Sequence, residues 1–287
     1  MPSSRVLAPL LAVVGAALWL YWDVMASLIR DWANDDNYSH GFLIVPVAAY
    51  LAWERRDRLV AAPRRPSSAG LIIVLGSLGA LVAGILGAEF FLSRVSMIGV
   101  LVGATLFILG WDHLRILAFP YAFLLLMIPI PAIVFNQIAF PLQLFASRFG
   151  VTVMELSAVP VLREGNVITL ANTKLEVAEA CSGIRSLISL LTLGIVYGYF
   201  SDSRVWVRVL IAASEVPIAI FANGLRVAGT GVLAHYYGPE AALGFFHTFS
   251  GWLVFLLAFV LLCVAMWGIK RLFPGAPTPL PELQPTI

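Results

Sequence analysis

Long apolar runs separated by short polar segments make up most of this 287-residue chain. A helix needs about 17–25 apolar residues to cross a bilayer, and a span in lipid must satisfy its own backbone hydrogen bonds. The pattern therefore predicts eight transmembrane helices, over residues 6–22, 38–53, 70–88, 95–110, 114–134, 183–200, 205–227 and 246–268. We expect an all-α integral membrane protein with one polytopic domain over residues 1–272.

The longest interruption of this pattern lies between residues 135 and 180. Its first part, "FNQIAFPLQLFASRFG", carries apolar residues on one side and polar residues on the other, which predicts a helix lying in the outer membrane interface. Its second part, "VLREGNVITLANTKLEVAEA", has a Gly-Asn turn signal between two β-prone runs. The sequence thus predicts a cap of one helix and a small β-hairpin, directly before the sixth predicted span.

Composition agrees with a membrane protein, and the distribution of charge indicates its orientation. The chain is 60% hydrophobic and 12% charged, with a mean hydropathy of +0.92, outside the range of ordinary soluble domains. The loop "WERRDRLVAAPRR" carries five Arg, and placing it in the cytoplasm puts eleven Lys and Arg inside and five outside. Both termini are then cytoplasmic, and a net charge of +2 gives no indication of a nucleic-acid partner.

The sequence predicts a different structure for each end of the chain. Residues 1–25 have Arg5 before an apolar run, as in a signal peptide, but "LWLYWDV" is bulky where a cleavage site needs small residues. An uncleaved first span is therefore favoured over a signal peptide. The Pro-rich segment "FPGAPTPLPELQPTI", residues 273–287, predicts a disordered cytoplasmic tail.

Three reactive side chains are predicted to lie at the same depth in the membrane. Cys181, Arg226 and His247 each lie 21 to 23 residues from a charged residue at the cytoplasmic end of their own predicted helix. At a rise of about 1.5 Å per residue this is about 32–35 Å, against a hydrocarbon core of about 30 Å. All three side chains should therefore lie at the outer boundary of the membrane.

Each of these residues also has a simpler interpretation. A free Cys often packs as a small apolar residue, an Arg near a span end can extend to the interface, and a lone His is usually a hydrogen-bonded packing residue. Cys181, however, faces an oxidising compartment if the orientation is right. By helix rise, Cys263 lies about 24 Å deeper in the membrane than His247, which is at the predicted level of Cys181. This is too far for a disulfide between the two cysteines, so we expect the Cys181 thiol to react.

The residue types fit nucleophilic acyl chemistry. A thiolate is favoured at a helix N-terminus near cationic groups, where Cys181 is predicted. His247 can take and return the proton, and Arg226 can hold the oxyanion. Four neighbours are predicted to contact substrate, with Arg185 able to hold a carboxylate or a lipid phosphate one turn from Cys181: Glu179, Ser182, Arg185 and Asn223.

Alternatives remain open on residues alone. Glu215 and Pro217 in the seventh predicted span are typical of transport paths, which favours a transporter or channel without covalent catalysis, although that leaves Cys181 unexplained. An acyltransferase or a plain intramembrane protease would use the same thiol chemistry. No phosphate-binding loop or HExxH motif occurs and the remaining His residues do not cluster, so no cofactor or metal is expected.

Several segments together resemble one known family. The blocks "EACSGIRSL", "PIAIFANGLRV" and "FFHTFSGW", with "NYSHGFLIVP" and "REGNVITLANTKLEVAEACSG", are similar to those of the exosortase/archaeosortase family of membrane-embedded cysteine transpeptidases. The resemblance implies that Cys181, Arg226 and His247 are catalytic. A His at the third position is similar to the bacterial exosortase branch.

The resemblance also implies partners and a location. Such enzymes act on secreted proteins whose C-terminal sorting signal has a Pro-Glu-Pro-like motif, a transmembrane helix and an Arg cluster. They are expected to cleave at the motif through a Cys thioester and pass the protein to an acceptor, which the sequence does not identify, in bacteria that make exopolysaccharide. We accordingly expect a multi-pass protein of the bacterial inner membrane, in contact with lipid, with its active site facing the periplasm.

Overall fold

The computed structural model describes residues 15–171, 173–177, 184–202, 204–238, 240 and 245–274. Side chains are described for the same residues except 184–186 and 245–250. The chain divides into two compact units, residues 1–132 and 133–287. Each unit is helical, and the second also holds a small sheet.

The first unit is built from helices of very different length. Residues 15–20 are helical and continue through Tyr21, whose N–H donates to the Ala17 carbonyl at 3.0 Å. The helices that follow are α1 (Trp22–Asn34), α2 (Gly41–Glu54), α3 (Arg56–Ala61), α4 (Ala69–Leu86), α5 (Phe90–Ile108) and α6 (Trp111–Leu124), with a 3-10 turn at Leu125–Met127.

Small residues allow α4 and α5 to pack closely. A methyl group built on Gly70 would overlap the backbone of Phe107, and one on Gly103 would come within 2.8 Å of the Val74 nitrogen. Glycine at such contacts lets two helix backbones approach closely. Inside a bilayer helices associate through such packing, because the surrounding lipid is as apolar as the helices and the hydrophobic effect does not drive them together. Gly70 and Gly103 therefore bring the backbones of α4 and α5 into close contact.

Arg94, which directly precedes the predicted span 95–110, is buried in the first unit. It lies within α5, is 4% exposed, and donates from Nη2 to the Asp31 carboxylate at 2.5 Å and the Ser27 hydroxyl at 3.0 Å. A buried guanidinium is tolerated when a carboxylate and further acceptors satisfy it. The partner lies 63 positions earlier in the chain, so a count of charges by loop could not reveal the pair.

The second unit begins with a long helix and a sheet. Helix α7 covers Ala132–Leu156 and precedes β1 (Val161–Glu164), β2 (Val167–Leu170) and β3 (Lys174–Glu176), which form an antiparallel sheet in that order. Gly165, with φ of +65°, makes the turn between β1 and β2, so the predicted hairpin is confirmed. The third strand was not predicted, because three residues give too weak an alternation to recognise.

Three further helices complete the second unit: α8 (Ile184–Ser201), α9 (Val205–Tyr237) and α10 (Phe245–Leu272). The sheet packs on α7 and on the C-terminal half of α9. Its buried Ile168, Leu170 and Leu175 share one core with residues of those helices that include Met154 and Val227. The predicted cap is therefore a packed part of this unit.

The structure supports a multi-pass membrane protein and does not confirm eight spans. Among the described residues, four helical segments are long and apolar enough to cross a membrane: Ala69–Leu86, Phe90–Ile108, Val205–Tyr237 and Gly251–Leu272. Helices Gly41–Glu54 and Leu187–Ser201 are apolar but shorter. The predicted span 6–22 lies mostly outside the described residues, as does most of the tail 273–287, so eight spans stay a prediction.

The single helix predicted over residues 114–134 is broken in the structure. Helix α6 with its 3-10 turn ends at Met127, and α7 begins at Ala132. Pro129 and Pro131 lie in the break, and proline lacks the N–H that a helix interior needs. The bent pair counts at most as a fifth candidate span.

Candidate active site

Two buried layers show how α8, α9 and α10 run relative to one another. Leu190, Ala222, Val254 and Ala258 form one layer. A second layer contains Val207, Ile211, Leu262 and Met266, with Leu193 packed against it. From the first layer to the second, residue numbers rise along α8 and α10 and fall along α9. Helices α8 and α10 therefore run in one direction and α9 in the opposite direction.

The first layer is a common reference for heights along these helices. Arg226 follows Ala222 by four residues, about 6 Å of helix. Position 247 precedes Val254 by seven residues, about 10 Å, and Ile184 precedes Leu190 by six, about 9 Å. The N-terminal ends of α8 and α10 thus come to the level of Arg226, within about one helical turn.

Arg226 reaches towards α10. Its side chain is half-buried, and a methyl group built on Gly251 would lie 3.9 Å from the Nη2 atom. Gly251 is one helical turn after position 247, so both positions share a face of α10. The guanidinium therefore lies against the same face of α10 that carries His247 in the sequence.

Asn223 belongs to the same region of α9. It lies three residues before Arg226 and is only 2% exposed. On a helix these two positions are neighbours on one face. The Asn223 amide carries both a donor and an acceptor.

The remaining predicted site residues are only partly described. Cys181, Glu179 and Ser182 lie outside the described residues. Arg185 and His247 lie in the helical parts of α8 and α10, with the backbone described and the side chain not. Their roles stay predictions.

Glu215 lies deep within the helices of the second unit. It is 0% exposed, and neither carboxylate oxygen has a hydrogen-bond partner among the described residues. A methyl group on Gly194 of α8 would lie 2.9 Å from its Oε1 atom, so the missing side chain at Gly194 makes room for the carboxyl group. The described part of the chain provides no ion pair for Glu215.

The sequence analysis did not single out Gly251, which lies beside Arg226 and gives no chemical signal of its own. Only its spacing of four from His247 could have indicated it. Cys263, by contrast, is exposed on α10, twelve residues after Gly251 or about 18 Å along the helix. No group of three or more His, Cys, Asp or Glu within the described ranges could hold a metal ion.

Comparison with known proteins gives one match. A family model described as transmembrane exosortase matches residues 32–264, a range that contains every candidate site residue named above. No curated protein and no solved structure matches the chain.

Proposed function

This chain belongs to the transmembrane exosortase family, and from that premise we propose that it is a cysteine transpeptidase that processes secreted proteins at a C-terminal sorting signal. The observation that carries the proposal is the position of Arg226. Its guanidinium lies beside Gly251, one turn from position 247 and level with the N-terminal end of α8. Cys181 precedes the first described residue of α8 by three positions.

The proposed reaction follows from the three side chains. His247 takes the thiol proton, and the Cys181 sulfur attacks the scissile carbonyl to form a tetrahedral intermediate. N–H groups of Arg226 stabilise the oxyanion, which is the largest single contribution in such chemistry. His247 then gives the proton to the departing amine, leaving a thioester, and an acceptor nucleophile attacks the thioester and releases the thiol.

Substrate contacts are assigned to the residues around these groups. Asn223 is proposed to bind the substrate backbone, because it is buried one turn from Arg226. Glu179, Ser182 and Arg185 flank Cys181 in the sequence and are proposed to contact the sorting motif. Arg185 would hold the carboxylate of a Pro-Glu-Pro-like motif, since an Arg–carboxylate pair fixes direction as well as affinity.

The proposed setting is the bacterial inner membrane, with eight spans, both termini in the cytoplasm and the active site facing the periplasm. Support comes from the end of α8, α9 and α10 opposite to Arg226, where cationic side chains lie over aromatic rings. Arg204 is 5.2 Å from Trp206, Arg208 is 4.8 Å from Tyr199, and Arg271 is 4.8 Å from Trp267. Such clusters are typical of the cytoplasmic interface.

The substrate's own transmembrane helix is proposed to enter from the lipid beside α8, α9 and α10. Its Arg cluster then stays on the cytoplasmic side and its motif reaches the level of Cys181. This route lets a membrane-anchored protein reach the thiol without leaving the bilayer. The acceptor is a nucleophile available at the periplasmic face.

The covalent intermediate is the direct test of this function. Enzyme in proteoliposomes would be incubated with a secreted protein carrying the sorting signal, with and without hydroxylamine as a substitute acceptor. We expect the upstream fragment to appear as a hydroxamate, and mass spectrometry to find the same fragment on the peptide that contains Cys181. Cleavage that gives only free acid, with no hydroxamate and no adduct, would overturn the thioester mechanism.

The transporter alternative is favoured by one observation, the buried Glu215. A carboxylate in apolar surroundings, with no hydrogen-bond partner among the described residues, is less favourable there than the neutral acid. Because an amide has nearly the shape of a neutral acid, we expect Glu215→Gln to keep substrate processing within about threefold of wild type. Melting temperature in detergent should change by less than about 3 °C.

Glu155→Gln, an exposed position on α7, is the matched control for this substitution. The same proteoliposomes would be assayed for proton-coupled uptake. Wild-type uptake that disappears in Glu215→Gln and persists in Glu155→Gln would favour the transporter.

A further inference from the structure

One buried hydroxyl ties the turn between β1 and β2 to helix α7. Ser147 is fully buried on α7, and its Oγ lies 2.9 Å from the Leu144 carbonyl and 3.0 Å from the Gly165 carbonyl. A hydroxyl has one hydrogen to donate, so the two carbonyls share it. Gly165, the turn residue with φ of +65°, lies 18 positions later in the chain. The bond therefore gives the turn a fixed place on α7.

The next residue of the turn, Asn166, holds the end of the sheet. Its carbonyl accepts the Val177 N–H at 2.9 Å, and its side-chain Nδ2 donates to the Val177 carbonyl at 3.4 Å. The first bond continues the ladder in which Ile168 pairs with Leu175. In a regular antiparallel pair the second bond comes from a main-chain N–H, and here the Asn166 amide provides it. One side chain thus orients the Val177 carbonyl.

Val177 lies four positions before Cys181, and its side chain is buried in the core that the sheet shares with α7 and α9. Burial fixes the side chain. The orientation of the carbonyl depends on the ψ angle of Val177, and the same angle decides the direction in which the chain continues. Four residues span at most about 14 Å, so a change in that direction is carried to Cys181.

We propose that Asn166 is a positioning residue for Cys181. Its amide sets the direction in which the chain leaves Val177, and Ser147 holds the turn that carries Asn166. The inference rests on the proposed function, in which the Cys181 sulfur attacks the scissile carbonyl. Asn166 acts through the main chain of its own sequence block, "REGNVITLANTKLEVAEACSG", which contains the turn, Val177 and Cys181.

Asn166→Ala should lower kcat about tenfold. A misplacement of about 1 Å costs about 100-fold, and the loss of one long hydrogen bond displaces the chain by less than that. KM should change less than about twofold, because the sulfur attacks only after the substrate has bound. Asn166→Asp has the same size but replaces the amide donor by an oxygen that faces the Val177 carbonyl, so it should lower kcat at least as much. Single-turnover rates and KM would be measured in proteoliposomes.

Asn34→Ala is the matched control for this substitution. The exposed Asn34 also donates from Nδ2 to a main-chain carbonyl, that of Arg30, at 2.8 Å, but it lies in the first unit. We expect wild-type kcat and KM for Asn34→Ala. The comparison separates the position of the hydrogen bond from the loss of an amide as such.

A double variant tests whether the hydroxyl on α7 and the amide act through the same turn. Ser147→Ala should lower kcat severalfold, and Ser147→Ala with Asn166→Ala should be at most about twofold slower than the slower single variant. Ser157→Ala is its control, since the exposed Ser157 hydroxyl donates to the Val153 carbonyl at 2.9 Å without reaching the turn.

A spectroscopic measurement separates positioning from stability. The chain has two cysteines, so Cys263→Ala leaves Cys181 as its single thiol. A nitroxide attached to Cys181 reports the mobility of that segment by electron paramagnetic resonance. The lines should sharpen in Asn166→Ala and Asn166→Asp and stay as in the parent protein in Asn34→Ala. A variant that only lowers the melting temperature leaves the spectrum of the folded protein unchanged.

Four outcomes would each overturn the inference: processing by Asn166→Ala within about twofold of wild type, an equal loss in Asn34→Ala, multiplied losses in the double variant, or an unchanged nitroxide spectrum. Processing by Cys181→Ala would overturn the proposed function instead. Because the nitroxide spectrum needs no substrate, the two failures are distinguishable.

Discussion

Cys181→Ala is expected to abolish substrate processing, by about 10³-fold or more, and to leave a folded protein inserted in the membrane. Cys181 is predicted to lie at the membrane boundary, where a side chain contributes little packing, so the loss should be chemical. Cys181→Ser should be inactive as well, because a hydroxyl without a strong base is a poor nucleophile. Conversion of substrate on gels, together with size-exclusion profiles, measures activity and folding separately.

Cys263→Ala is the control for this substitution. Cys263 is exposed on α10 and lies about 18 Å along the helix from Gly251, too far to share the reaction. We expect wild-type processing and wild-type melting. Processing that survives in Cys181→Ala would exclude Cys181 as the nucleophile and favour the transporter interpretation.

Arg226→Lys is expected to lower kcat/KM by about 10²–10³-fold although the charge is kept. Losing one oxyanion donor costs about this much in acyl-transfer enzymes. The planar guanidinium offers two parallel N–H groups from a fixed position, which an ammonium cannot copy. The measurement is the initial rate of processing at several substrate concentrations, with melting temperature recorded for the same preparations.

Arg115→Lys is the matched control, since the Arg115 side chain is 77% exposed and lies in the first unit. We expect it to behave as wild type. A rate for Arg226→Lys within tenfold of wild type, at unchanged melting temperature, would show that a positive charge alone is sufficient there. Arg226 would then bind a substrate carboxylate rather than the oxyanion.

Local sequence patterns determined the helical membrane architecture and part of the cap. The apolar runs at 70–88, 95–110, 205–227 and 246–268 were long enough to require helices, and the structure has helices there. The Gly165–Asn166 turn between β-prone runs was equally local, and β1 and β2 pair across it. These features depend on neighbours within a few residues, so the sequence alone contains the information. The blocks around Cys181, Arg226 and His247 likewise indicated the family that the match over 32–264 shows.

Only the tertiary structure decided which distant residues meet. Arg94 lies buried against Asp31, 63 positions earlier in the chain, because a guanidinium can be buried in a helical unit when a carboxylate satisfies it. The height of Arg226 relative to α10 depends on how the layer of Leu190, Ala222 and Val254 packs, which no single helix encodes. The position of Gly251 beside the Arg226 guanidinium was decided in the same way, because it depends on how α9 and α10 pack.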